Sequence, residues 1–138
     1  MNSETNNPML IKISTHKNVN EAAAALLVAV ESNHFGVMHV HNLKETMAKK
    51  GVDFDRECLI FEICQPQKAK EVLEENMSVS TALPCRISIY EEAGETILAT
   101  MKPTTLLAMF NTPQLAGVAR EVEDTMVEIM KTAGGSGI

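Results

Sequence analysis

The side chains best suited to chemistry are a few cysteines, histidines, acids and bases that fall on or beside alternating apolar runs. Cys64-Gln65-Pro66 joins the end of one such run to the start of a helix. Pro66 suits the first helical position, where its missing N–H costs nothing. A thiol at that junction lies near the positive end of the helix dipole, which favours thiolate. Arg86 could add a second positive charge. The expectation is a Cys64 of depressed pKa, a candidate catalytic nucleophile for redox or sulfur-transfer chemistry. The plainer alternative is a small buried side chain at a crowded strand–helix junction, since free cysteine is among the most buried residue types. There is no C-x-x-C. Cys58 and Cys64 share one strand and cannot bridge each other, whereas Cys64 and Cys85 could meet across neighbouring strands.

His39-Val40-His41 places two imidazoles on the same side of a strand. Zinc would want two further ligands, and Glu62 and Cys64 are the nearest by face. His39 and His41 are therefore weak metal candidates, with no firm metal site. His16 and His34 fall at element ends and read as surface residues. The paired acids Glu74-Glu75, Glu91-Glu92 and Glu123-Asp124 read as solvated charges on helix or turn surfaces. Of the nine methionines, Met47, Met77, Met126 and Met130 fall on helical stripes and read as core filling. The phosphate-cradling, dinucleotide-binding and serine-hydrolase motifs are missing.

The elements that must hold these residues follow from periodicity. Leu10 to Thr15, Gly36 to Asn42, Arg56 to Cys64, Pro84 to Glu91 and Thr96 to Met101 alternate as strands. Asn18 before Glu21, and Asn42 before Glu45, read as helix caps. The first helix carries Val19, Ala22, Ala23, Leu26, Leu27 and Val30 on one stripe; the short second one is closed by Gly51. Ala69, Val72, Leu73 and Met77 give the helix after Pro66 its buried side. Ala93-Gly94 marks a hairpin. Thr112-Pro113 starts the last helix. The order is β-α-β-α-β-α-β-β-α, an α+β class: about five strands in a mostly antiparallel sheet, one face covered by amphipathic helices. A single domain is expected over residues 8–132, with residues 1–7 and 133–138 as flexible termini.

Alternation specifies both sides of that sheet. If Ile11, Met38, Val40, Phe61, Ile63, Ile87 and Ile89 lie under the helices, the other face carries His39, His41, Cys58, Ile60, Glu62, Cys64, Arg86, Ser88 and Tyr90. That face is a candidate small-ligand site or a mixed polar interface. Its candidate ligand-binding residues are His39, His41, Glu62, Cys64, Arg86 and Tyr90.

Composition bounds the classes. With 138 residues, 45% hydrophobic and 22% charged, the chain is one globular domain. A net charge of −6 disfavours nucleic acid but leaves room for a small anion on the face bearing Arg86. An odd cysteine count of three argues against a secreted disulfide framework. The polar, acidic N-terminus lacks the pattern of a signal peptide, and no apolar run approaches the ~20 residues of a membrane span. A cytoplasmic protein with reduced thiols is expected.

Three segments carry a family resemblance. Phe35 to Asn42 ahead of a Leu43-containing helix, Glu62-x-Cys64-x-Pro66-x-x-Ala69, and Leu83-Pro84-Cys85-Arg86-Ile87 with Tyr90 resemble the bacterial domain-of-unknown-function family 302. The likeness runs from about Leu10 to Thr132. It implies a small α+β domain, often self-associating, with no established catalytic activity and no agreed active site. The family usually has Asn between the positions of Cys64 and Pro66. Here Gln65 stands there, outside the preferred N-cap set. The expectation is a homodimeric small-ligand-binding or interaction module without a cofactor. A thiol-dependent protein using Cys64 is the alternative, and metal binding through His39 and His41 the third.

Overall fold

In the computed structural model, which describes residues 7–135, the alternating runs become five strands. They are β1 (Leu10–Thr15), β2 (Gly36–Asn42), β3 (Cys58–Cys64), β4 (Cys85–Glu92) and β5 (Glu95–Met101). One sheet holds them in the order β1-β5-β4-β3-β2, and every neighbouring pair is antiparallel. Ala93 and Gly94 both have positive φ, 53° and 81°, in the β4–β5 hairpin. Two successive left-handed residues give a turn whose twist matches that of the flanking strands.

Helices α1 (Val19–Ser32) and α5 (Leu115–Gly134) pack against each other and cover one face. Asn18 caps α1 reciprocally. Its Oδ1 accepts from the Glu21 N–H at 2.8 Å, and Glu21 Oε1 accepts from the Asn18 N–H at 3.0 Å. Helix α2 (Leu43–Lys49) is capped by Asn42 and closed by Gly51 at φ 78°. Beneath α1 and α5, Leu59, Phe61 and Ile63 of β3 pair with Ile89, Ile87 and Cys85 of β4. Leu26, Met126, Ile129 and Met130 close over them, fully buried. Each such side chain contributes about 1.5–3 kcal/mol by leaving water. Truncating Phe61 to Ala would cost about 3–5 kcal/mol.

Helix α3 (Pro66–Glu75) leads into a 3-10 turn at Met77–Ala82, and α4 (Pro103–Ala108) follows β5. These three lie at the end of the sheet where β3 and β5 finish and β4 begins. The Leu83–Pro84 peptide, entering β4, is cis. No helix among the described residues is long and apolar enough to cross a membrane.

Several local expectations change. A bulge at Met38 puts Val37 opposite Ile63 and Val40 opposite Phe61. Val37 therefore packs on the core, and Met38 stands 63% exposed. On α1 the buried stripe is Val19, Ala22, Leu26, Ala29 and Val30, while Leu27 turns to solvent. Met77 is exposed because the chain leaves the helix at Asn76, which is extended at φ −161°, so the helical spacing no longer applies. Thr112 does not cap α5. Its hydroxyl accepts from Asn76 Nδ2 at 2.8 Å and donates to the Phe110 carbonyl at 3.1 Å, and the helix begins at Leu115.

Two further corrections concern the last helix. Glu123 is only 8% exposed. Its Oε1 accepts from the Thr104 backbone N–H at 3.0 Å and from the Thr104 hydroxyl at 2.6 Å, closing the first turn of α4. Burial pushes that carboxyl's pKa up, but the Thr104 donors, with Arg120 and Lys102, outweigh it and hold the group below its ordinary value. The expected tail at 133–138 is helical at its start. Ala133 is buried, Gly134 ends α5, and Gly135 closes it at φ 71°. The Gly134 carbonyl accepts from Thr15 Oγ1 at 2.9 Å, and a Cβ on Gly134 would lie 3.2 Å from Ile13 Cγ2. At the other end, Asn7 Oδ1 accepts from the Met9 N–H at 2.9 Å. The remaining terminal positions, 1–6 and 136–138, lie outside the described residues.

Candidate functional site

The strand register assembles the polar residues of the face turned away from α1 and α5. His39 of β2 lies opposite Glu62 of β3, and Glu62 lies opposite Arg86 of β4. One row of pairs thus crosses three strands. The hydrogen bond to Glu62 comes from the diagonal neighbour: His41 Nε2 is 2.9 Å from Glu62 Oε2. The His39 and His41 rings meet edge-on, with centroids 4.3 Å apart. Arg86 Nη2 lies 3.7 Å from the same Glu62 oxygen. The His41 hydrogen bond holds the Glu62 carboxyl below its ordinary pKa; partial burial opposes this, and the charges of His41, Arg86 and His39 reinforce it. Sequence reasoning named all four residues, and the fold brings them together. Among the described residues, no three His, Cys, Asp or Glu side chains gather where a metal ion could be held. The guanidinium beside Glu62 also repels a cation there.

Cys64 and Tyr90 belong to a neighbouring feature, a cleft of about 400 Å³ at the sheet end. It runs between α3 and α4. Its floor includes Ile63, Cys64, Cys85 and Thr100, and its walls include Val72, Leu83 and Leu107. Arg86, Ser88 and Tyr90 also line it, although alternation puts them on the opposite side of β4 from Cys85. The cleft therefore wraps round the strand ends from beneath the helices onto the other face. Arg86 is common to the polar row and the cleft.

Gln65 caps α3 beside this cleft, its Oε1 accepting from the Lys68 N–H at 2.8 Å. The longer side chain thus does the work of the shorter cap residues. Lys68 lines the cleft too, but its ammonium is bound to Glu121 and lies 3.8 Å from Glu71, and the Glu121 contact raises its pKa.

The thiols correct an expectation. Burial pushes Cys64 up rather than down, and it pushes Cys85 to about 11, with the nearby Cys64 adding to the rise. Desolvation at the cleft is the cause of the rise, and both thiols are neutral near pH 7. Cys58 is likewise raised by burial, with Arg56 opposing. Sequence reasoning missed Leu10, Met101, Pro103, Leu106 and Lys68 as cleft residues. The Leu83-Pro84-Cys85-Arg86 segment was the local signal near it.

Fold and cleft together define a small antiparallel α+β domain with a binding-sized hollow at the sheet end. A family model described as Domain of unknown function DUF302 matches residues 11–133, and the chain belongs to that family. It is similar to an uncharacterized conserved DUF302 protein from Bacillus stearothermophilus, whose crystal structure superposes with a TM-score of 0.87. Sequence identity is 31%, over 92% of this chain and 99% of that one. A search of the curated proteins found no match.

Proposed function

We propose that this domain is a small-ligand-binding module whose site is the cleft at the ends of β3, β4 and β5. The observation that carries this is the cleft itself. Its volume of about 400 Å³ falls within the ~300–1,000 Å³ of small-molecule sites, and its lining is mainly apolar with a few polar groups. The test is a titration with n-decanol, followed by methyl NMR. Shifts concentrated at Val72, Leu83, Leu106 and Leu107, and abolished in Ala69→Trp, support the site. Shifts confined to other regions, or unchanged in Ala69→Trp, count against it.

Self-association is proposed through the face turned away from α1 and α5. Ile60 and Tyr90 of that face are half-buried and stand among polar neighbours, the mixed character of a modest interface. Sedimentation at micromolar concentration tests it, and a monomer there counts against it.

The thiol-dependent alternative rests on Cys64 and Cys85 lining the same cleft. Oxidation with a small-molecule disulfide, then peptide mapping, tests it: a Cys64–Cys85 bridge supports the alternative. Recovery of only separate mixed disulfides opposes it.

A further inference from the structure

The charge of the cleft narrows the class of ligand, on the premise that the cleft is a binding site. In a chain of net charge −6, its lining among the described residues contains Lys68 and Arg86 and no aspartate or glutamate. The two cations are not equivalent. Lys68 is engaged by Glu121 and Glu71. Among the described residues, Arg86 has one ion pair, at 3.7 Å, to an oxygen that already accepts from His41. A guanidinium carries five N–H donors in a fork that matches a carboxylate. Its side chain is 55% exposed and stands where the cleft turns onto the other face. Ser88 and Tyr90, farther along the same side of β4, add hydroxyls to the lining. Along the α3 and α4 walls, Val72, Leu106 and Leu107 offer only hydrocarbon, as does Leu83, and the two cysteines are neutral thiols.

We infer that the cleft takes a single-tailed aliphatic carboxylate, with its chain between α3 and α4 and its head group on Arg86. An uncharged chain of equal length would gain the apolar contacts alone. A head group without a chain would meet one exposed arginine, a weak site in water.

The experiment compares decanoate with n-decanol, both below micelle formation, on the full chain and on Arg86→Gln and Lys68→Gln, with dissociation constants from methyl NMR. The expected result is tighter binding of decanoate than of decanol to the unsubstituted protein. Arg86→Gln should weaken decanoate about 2- to 5-fold, the scale of an ion pair at a part-exposed arginine. The same variant should leave decanol unchanged, and Lys68→Gln should change either ligand little. Equal binding of the two ligands at the cleft, insensitive to Arg86→Gln, would overturn the carboxylate assignment while leaving the binding site standing. Loss of decanoate in Lys68→Gln but not in Arg86→Gln would overturn the role of Arg86. If neither ligand shifts a cleft methyl, the binding site and this inference both fall.

Discussion

Glu62 and Arg86 face each other across β3 and β4, and the Glu62 oxygen 3.7 Å from Arg86 is the one that accepts from His41 at 2.9 Å. One carboxylate oxygen thus connects the histidine pair on β2 with the arginine at the lip of the cleft. Because the His41 bond is the shorter contact, the Arg86 donors are left largely for other partners.

His41→Ala should raise the pKa of Glu62 toward that of an ordinary carboxylate, because the hydrogen bond from His41 is the main cause of its depression. Carboxyl-carbon NMR titration reads this directly. The sign for stability follows. Since the folded value is depressed, the contribution of Glu62 is present above the ordinary carboxylate range and is lost as pH falls through the folded value. A Glu62 titration unchanged in His41→Ala would show that the bond is not formed in solution.

Glu123 offers a buried counterpart on the other side of the sheet. Thr104→Val removes a hydroxyl donor from its carboxylate while the backbone donor at 3.0 Å remains. Urea unfolding at pH 7 should show a loss of about 1–3 kcal/mol, the cost of leaving a buried acceptor short of a partner. The depressed pKa of Glu123 predicts a second effect with the same sign as for Glu62: stability declines as pH falls below the ordinary carboxylate range. Glu123→Gln should flatten that part of the pH profile. A profile unchanged by the substitution would assign the acid sensitivity elsewhere.

Alkylation should be slow at the cleft cysteines. With Cys85 pushed up to about 11 and Cys64 also raised, little thiolate exists at pH 7. Iodoacetamide rates resolved by mass spectrometry should climb from pH 7 to pH 10 at both positions, with Cys85 the slower. A Cys64 rate already at its plateau by pH 7 would restore the activated nucleophile.

Close approach governs the end of α5. Gly134→Val should destabilise by about 1–3 kcal/mol, as overpacking does, because the first added carbon already lies 3.2 Å from Ile13 Cγ2. Thermal denaturation checks this. Stability equal to that of the unsubstituted protein would mean that α5 ends before it reaches β1.

What the sequence determined is what neighbours along the chain dictate. Alternation marks the five strands and brings Glu62 and Arg86 onto one face, because successive side chains in an extended chain point to opposite sides. Asn18, Asn42 and the Ala93-Gly94 pair set helix starts and a hairpin through bonds spanning two or three residues. Other features depend on distant partners. The bulge at Met38 exists only as a mismatch with β3, so counting along β2 assigns Val37 and Met38 to the wrong sides. Glu123 reads as solvated until Thr104, remote in sequence, supplies its donors. Gly134 reads as part of a loose end until Ile13 and Thr15 come against it. The cleft is the fullest case. Its walls come from β1, β3, β4, β5, α3 and α4 at once, and the low polarity that keeps Cys64 protonated exists only when those walls are assembled. Local sequence placed a thiol at a helix start, and tertiary packing supplied the apolar surroundings that desolvate it.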